Sequence, residues 1–247
     1  MRRAQFTLDG GPPIDGIIDG DAVIAGDARH ALSSVRLLAP CVPTKIVCVG
    51  RNYLDHAREM GNALPDKPLL FFKPPSAVIG AGADIVYPPQ SSRVDYEGEL
   101  AIVIARRCKN VSRAEALDVV SGYTILNDVT ARDLQSTDDQ WARAKGFDTF
   151  APLGPCIAQG LDPGRLRIRT TLNGELRQDS STEMLIFDVP TLIEYITAAF
   201  TLEPGDVIGT GTPSGIGPMQ PGDEVRVEIE GIGVLSNRVV RPSTQPA

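Results

Sequence analysis

The chain has 247 residues, of which 42% are hydrophobic, 22% charged and 5% aromatic, with 24 Gly and 20 Pro. That is a globular, turn-rich composition, long enough for one large β-rich domain or a main domain with a small attachment. A net charge of −7 excludes a broad basic surface for nucleic acid or anionic membrane, and no apolar run reaches the roughly 18–20 residues of a membrane span. The arginines of MRRAQFTLDGG have no apolar stretch behind them, so no secretory signal is read and a soluble, cytoplasmic protein is expected.

In chain order, short β-type pieces come first: Gln5–Leu8, Gly16–Ile18 and Ala22–Ile24, separated by GGPP and the hairpin dipeptide Asp19-Gly20. Ala31–Ala39 reads as one weak helical turn or two before Pro40 and Pro43. Residues 1–42 are therefore expected to form a small N-terminal β domain, and 43–247 the main one. From Lys45 the signals strengthen. KIVCVG, LLFF (69–72), DIVY (84–87), ELAIVIA (99–105) and GYTILND (122–128) read as strands, several of them apolar throughout. Ser112-x-x-Glu115 is a capping-box pattern opening a helix through Val120. RIRTTL and ELRQDSS flank Asn173-Gly174, a type I′ hairpin signal, and Asp188 with Pro190 opens a helix to about Phe200. DVIGTG, DEVRVEIE and GVLSNRVV close the chain as strands. Helices are few and no βαβ alternation persists, so the fold class is α+β, mostly β.

The side chains that can carry chemistry are scarce. Cysteines at 41, 48, 108 and 156 form no C-x-x-C pair, and Cys48 and Cys156 read as core residues. His30 and His56 are the two histidines, too few for a poly-His metal centre. Any metal must be held by carboxylates, which favours Mg²⁺, Mn²⁺ or Ca²⁺. Glu97-Gly98-Glu99 starts an apolar strand, so its two carboxylates point to one side. That spacing is also the spacing of a solvated strand end. Asp128, at the end of another apolar run, adds a third carboxylate, and three together suit an octahedral oxygen site. In YLDHAREM a separation of three puts His56 and Glu59 on one helical face, as a general base and its orienting partner or as an ordinary exposed pair.

Five lysines stand against nineteen arginines. Arg51, Lys73, Arg132 and Lys145 flank the other candidates, and an anionic substrate would need such local positive charge against the acidic background. Gly209-Thr210-Gly211-Thr212-Pro213 offers backbone N–H groups and hydroxyls that can cradle an anion or simply turn the chain. It lacks the lysine of a P-loop, which excludes nucleotide binding.

Together VGRNYLDHAREM, PLLFFKPPSAVIG, VDYEGELAIVI, GYTILNDVTARDLQ, WARAKGFDTFAPLGP and GTGTPSGIGP resemble the fumarylacetoacetate hydrolase family. The match is to its shorter members, which include acylpyruvate hydrolases, oxaloacetate decarboxylases and isomerases of homoprotocatechuate breakdown. The resemblance implies a mixed β-roll, a divalent metal (usually Mg²⁺) and a homodimer. It implies Glu97, Glu99 and Asp128 as metal ligands, with His56, Glu59 and Lys145 as catalytic residues. Substrate contacts would come from Arg51, Tyr53, Lys73, Arg132, Gln135 and Thr212. The expected reaction is hydrolysis of a C–C bond in acylpyruvate-type 2,4-dioxo acids. The alternatives are an isomerase or decarboxylase of 2-hydroxymuconate-type diacids, or an oxaloacetate decarboxylase. A metal-stabilised binding protein without chemistry would have lost His56, Lys145 or a carboxylate, and all are present.

Overall fold

ELAIVIA and KIVCVG are apolar throughout because both faces of their strands are covered. In the computed structural model, which describes residues 1–55 and 65–242, strand Gly98–Ile104 sends Leu100, Ile102 and Ile104 into one buried cluster. Ala101 and Val103 enter a second cluster on the opposite face. Strand Ile46–Gly50 divides likewise, with Val47 and Val49 on the first face and Ile46 and Cys48 on the second. His56 and Glu59 lie outside the described residues.

Among the described residues these strands belong to one large sheet. Its order runs Leu69–Lys73, Ile46–Gly50, Val207–Gly209, Gly98–Ile104, Val120–Asn127, Ala151–Ala158, Arg2–Thr7, Ile14–Asp19, Ala22–Ala25 and Ala28–Ala31. Ile46–Gly50 and Val207–Gly209 are parallel, and their neighbours pair antiparallel, so the sheet is mixed. The first face packs against a second sheet of Glu175–Ser181, Arg167–Leu172, Glu224–Ile229, Gly233–Val240 and Ile85–Val86. Ile168, Val227, Ile229 and Leu235 from that sheet share the core with Leu192, Ile193 and Ile196 of helix Val189–Ala199. A third sheet, of Thr130–Ala131, Val94–Tyr96 and Gly217–Met219, leads the chain into Glu97. None of the described helices is long and apolar enough to cross a membrane.

Local signals act as their chemistry dictates at two places. Asn173 and Gly174 have φ of 53° and 82°, the left-handed pair that a type I′ turn requires. Asp188 caps its helix by accepting from Thr191 N at 3.0 Å. At three others the structure differs. Leu32–Ser34 is a single 3₁₀ turn, and Arg36–Leu37 then pairs with Arg2–Thr7 where a longer helical turn was expected. After Ser112, Arg113–Val119 is 3₁₀ rather than α, and the serine hydroxyl donates to the Glu115 carboxylate (2.7 Å) rather than closing onto the backbone. Ala151–Ala158 is an interior strand although it carries Pro152, Gly154 and Pro155, residues that elsewhere mark strand ends.

Candidate active site

Glu97, Glu99 and Asp128 meet because of the register between two strands. Gly98 stands opposite Asn127, so Glu97 and Asp128 lie just beyond the pair, and Asp128 N donates to Glu97 O at 2.8 Å. Alternation puts Glu99 on the same side as Glu97, the face that carries Ala101, Val103 and Leu126. All three carboxylates are buried and offer oxygens within 4.8 Å of one another.

Two ammonium groups approach them. Lys145, in the short helix Ala142–Gly146, donates to Glu97 Oε2 (2.8 Å) and Asp128 Oδ2 (2.6 Å). Its Nζ lies 4.9 Å from the centre of the Phe71 ring. Lys73 donates to Asp128 Oδ1 at 2.6 Å and to Val129 O at 3.1 Å. Arg132 links the cluster to a fourth carboxylate: it donates to Glu97 Oε1, to Gln135 Oε1, and to Asp95 Oδ2 at 3.0 Å. Asp95 also receives Arg93 Nε at 2.9 Å. Gly211 N donates to Glu99 Oε2 at 3.1 Å.

Burial and charge pull the two glutamates apart. Burial alone would raise Glu97, but Lys145 and Arg132 outweigh it and hold its carboxyl well below the usual carboxylate range. Glu99 is pushed well above that range, by burial first and then by Asp128 and Glu97. Burial would lower Lys145, yet Asp128 and Glu97 hold it above the ordinary lysine value. A hard divalent cation shared among the three carboxylates would relieve the repulsion on Glu99. An all-oxygen donor set is the kind that Mg²⁺, Mn²⁺ or Ca²⁺ takes, so the residues fit such an ion.

The cluster forms the floor of a cleft of about 520 Å³, whose wall includes Arg51, Arg132, Gln135, Trp141 and Thr212. Trp141 meets Phe71 edge-on, with ring centroids 5.4 Å apart. Arg51 is exposed and holds a left-handed φ of 58° immediately after strand Ile46–Gly50. Lys73 and Tyr53 are buried and do not line the cleft. Tyr53 pairs with Leu185 in an isolated bridge, and its buried hydroxyl has no hydrogen-bond partner among the described residues. Asp95, Phe71 and Trp141 are site residues that the sequence reading does not single out. Asp95 is visible in hindsight, since alternation carried two residues back from Glu97 reaches it.

The model of the fumarylacetoacetate (FAA) hydrolase C-terminal domain matches residues 45–240. A crystal structure of 5-carboxymethyl-2-hydroxymuconate delta-isomerase from Mycobacterium smegmatis is 46% identical, with a TM-score of 0.92 over 99% of this chain and 100% of that one. Oxaloacetate tautomerase YisK of Bacillus subtilis is 44% identical over 87% of this chain and 76% of that protein. Maleylpyruvate hydrolase of Sphingobium sp. SYK-6, solved with manganese(II) and pyruvate, is 33% identical, with a TM-score of 0.85 over 98% of this chain and 100% of that one. With the domain model covering most of its length and two solved relatives matching over 98–99% of it, the chain belongs to the fumarylacetoacetate hydrolase family, whose mixed, mostly β architecture it shares.

Proposed function

We propose that this family enzyme hydrolyses a C–C bond in acylpyruvate-type 2,4-dioxo acids. One observation carries the reading: an ammonium held between two of three clustered, buried carboxylates at the floor of a cleft. Breaking the C3–C4 bond of such an acid leaves its electron pair as a pyruvate enolate, so the site must hold negative charge growing on oxygen. Glu97, Glu99 and Asp128 would hold Mg²⁺, with Mn²⁺ or Ca²⁺ as the other candidates, and the bound ion would supply Lewis acidity at the 2-oxo carboxylate end of the substrate. Lys145, fixed by two charged hydrogen bonds and the Phe71 face, adds a positive charge beside the same place. Arg132 and Gln135 are joined to each other in the wall and orient the substrate, together with Arg51 and Thr212 of the same lining. His56, oriented by Glu59, takes a proton from the water that attacks C4. Lys73 serves this site from behind, through Asp128. We take the working unit to be a homodimer.

A second reading is favoured by likeness. The isomerase and the oxaloacetate tautomerase are 46% and 44% identical, and the maleylpyruvate hydrolase 33%. Proton transfer to and from carbon through an enolate of the bound 2-oxo acid, with no C–C bond broken, needs the same charged floor.

A panel of acylpyruvates and oxaloacetate, assayed with Mg²⁺ and with excess EDTA, separates the readings. Hydrolysis gives pyruvate and a carboxylic acid in equal amounts. Tautomerisation removes the enol absorbance of oxaloacetate while releasing neither pyruvate nor CO₂, and decarboxylation releases both. Turnover undiminished by EDTA would remove the cation from either account.

A further inference from the structure

Strand Glu175–Ser181 is exposed or half-buried at every position but one, and the exception is polar: Gln178 is 0% exposed. Its carboxamide reaches out of the second sheet to the main chain between the two glutamates. Gln178 Oε1 accepts from Gly98 N at 3.1 Å. Gln178 Nε2 donates to Thr212 Oγ1 and to Pro213 O, each at 2.9 Å. Thr212 Oγ1 in turn donates to Gly98 O at 2.9 Å. The amide has one orientation, because Gly98 N–H can only donate and Pro213 O can only accept.

Both main-chain groups of Gly98 are therefore held by one relay, the N–H by Gln178 and the C=O by Thr212. Gly98 faces away from the carboxylates, toward the second sheet, and the packing there explains the glycine. A β-carbon on it would lie 2.5 Å from Thr170 Oγ1, 2.9 Å from Val227 Cγ1 and 3.2 Å from Gln178 Oε1. Rotation of the peptide units on either side of Gly98 would swing the Glu97 and Glu99 side chains with them. The relay blocks that rotation, with Gln178 acting from the second sheet and Thr212 from the cleft wall.

We propose that Gln178 is a positioning residue of the active site. Through Gly98 it sets the aim of the Glu97 and Glu99 carboxylates, and through Thr212 it couples that aim to the wall on which the substrate rests. The proposal rests on Glu97, Glu99 and Asp128 being the cation site. It assigns the Thr212 hydroxyl to this relay, since its proton goes to Gly98 O and one lone pair receives Gln178.

The test uses the full-length protein. Gln178→Met keeps side-chain length and removes all three hydrogen bonds, whereas Gln178→Glu keeps the acceptor for Gly98 N and loses both donors. Mn²⁺ affinity is read by calorimetry, and KM and kcat with the 2-oxo acid that the wild type turns over. A partner that orients metal ligands is typically worth about 10- to 100-fold in affinity. Gln178→Met should weaken Mn²⁺ binding by roughly tenfold or more and raise KM more than it lowers kcat, with Gln178→Glu intermediate in Mn²⁺ affinity. Should Gln178→Met fail to fold, Gln178→Glu carries the same readouts, and Thr212→Val is read by Mn²⁺ affinity alone, because Thr212 also lines the substrate cleft. A lowered melting temperature with Mn²⁺ affinity and KM within twofold of wild type would make Gln178 a fold anchor only and overturn the proposal. A wild type that binds no Mn²⁺ would overturn the cation site itself, a result distinct from equal binding by wild type and variant.

Discussion

A β-carbon placed on Gly209 would lie 2.6 Å from Glu99 Oε2, 2.9 Å from Leu126 Cδ2 and 3.1 Å from Cys48 Sγ. All three are buried, and the carboxylate, as the tightest of the contacts, has to move furthest. Gly209→Ala should cost about 1–3 kcal/mol of stability, the usual range for overpacking, and should weaken Mn²⁺ binding by turning Glu99 out of line. Thermal unfolding and calorimetry check the two effects separately, and unchanged Mn²⁺ affinity would mean that Glu99 is not a ligand. At this scale, the meeting of the three carboxylates is legible in sequence, because alternation and strand ends are local properties. The partner of Lys73 is not. Its ammonium meets Asp128 only through the pairing of Ile46–Gly50 with Leu69–Lys73 and the rest of the sheet, a placement 55 residues apart in sequence. Gln178 is hidden for a related reason: it stands in a run of polar residues, Arg177 to Ser181, and only the packing of two sheets shows which one is enclosed.

Among elements, the parallel pair Ile46–Gly50 and Val207–Gly209 depends on one carboxylate. Asp206 accepts from Thr44 N (2.9 Å), Lys45 N (3.1 Å) and Glu203 N (2.8 Å), and also receives the Thr44 hydroxyl and the Lys45 ammonium. Burial would raise its pKa, but these hydrogen bonds outweigh burial and lower it. A carboxyl depressed in the folded state stabilises fully above its unfolded value, near 3.9. That stability is lost as pH falls through the depressed native value. Asp206→Asn should therefore unfold at lower temperature at neutral pH and lose less on acidification than wild type, measured by melting curves across the acid range. Parallel curves would show that Asp206 titrates alike in both states. Strand Ala151–Ala158 marks the limit of local reading at this scale. Its neighbours on both sides hold it in place, and two prolines and a glycine hide it in the sequence.

For the whole molecule, the expected N-terminal unit is joined to the main sheet by hydrogen bonds. Arg2 and Arg3 pair with Ala158 and Ile157, and Ala4 and Ile18 enter the same core cluster as the central strands. Removing residues 1–42 would uncover the edge of Ala151–Ala158 together with that core, and an open apolar edge invites association. The truncated chain should melt earlier and aggregate, read by light scattering. A soluble truncation of undiminished melting temperature would make residues 1–42 an independent domain. Composition and periodicity suffice for the mostly β class, but where the early strands attach is settled by long-range pairing.

Trp141 is the single tryptophan of the chain, and it stands in the cleft wall, edge-on to the ring beside Lys145. All indole emission from this protein therefore originates at the mouth of its site, with no background from a second fluorophore of that kind. Paramagnetic Mn²⁺ arriving at the floor would quench it, and a 2-oxo acid settling against the wall would shift its spectrum. Occupancy can thus be followed optically, without label or turnover, in the same titration for wild type and every variant.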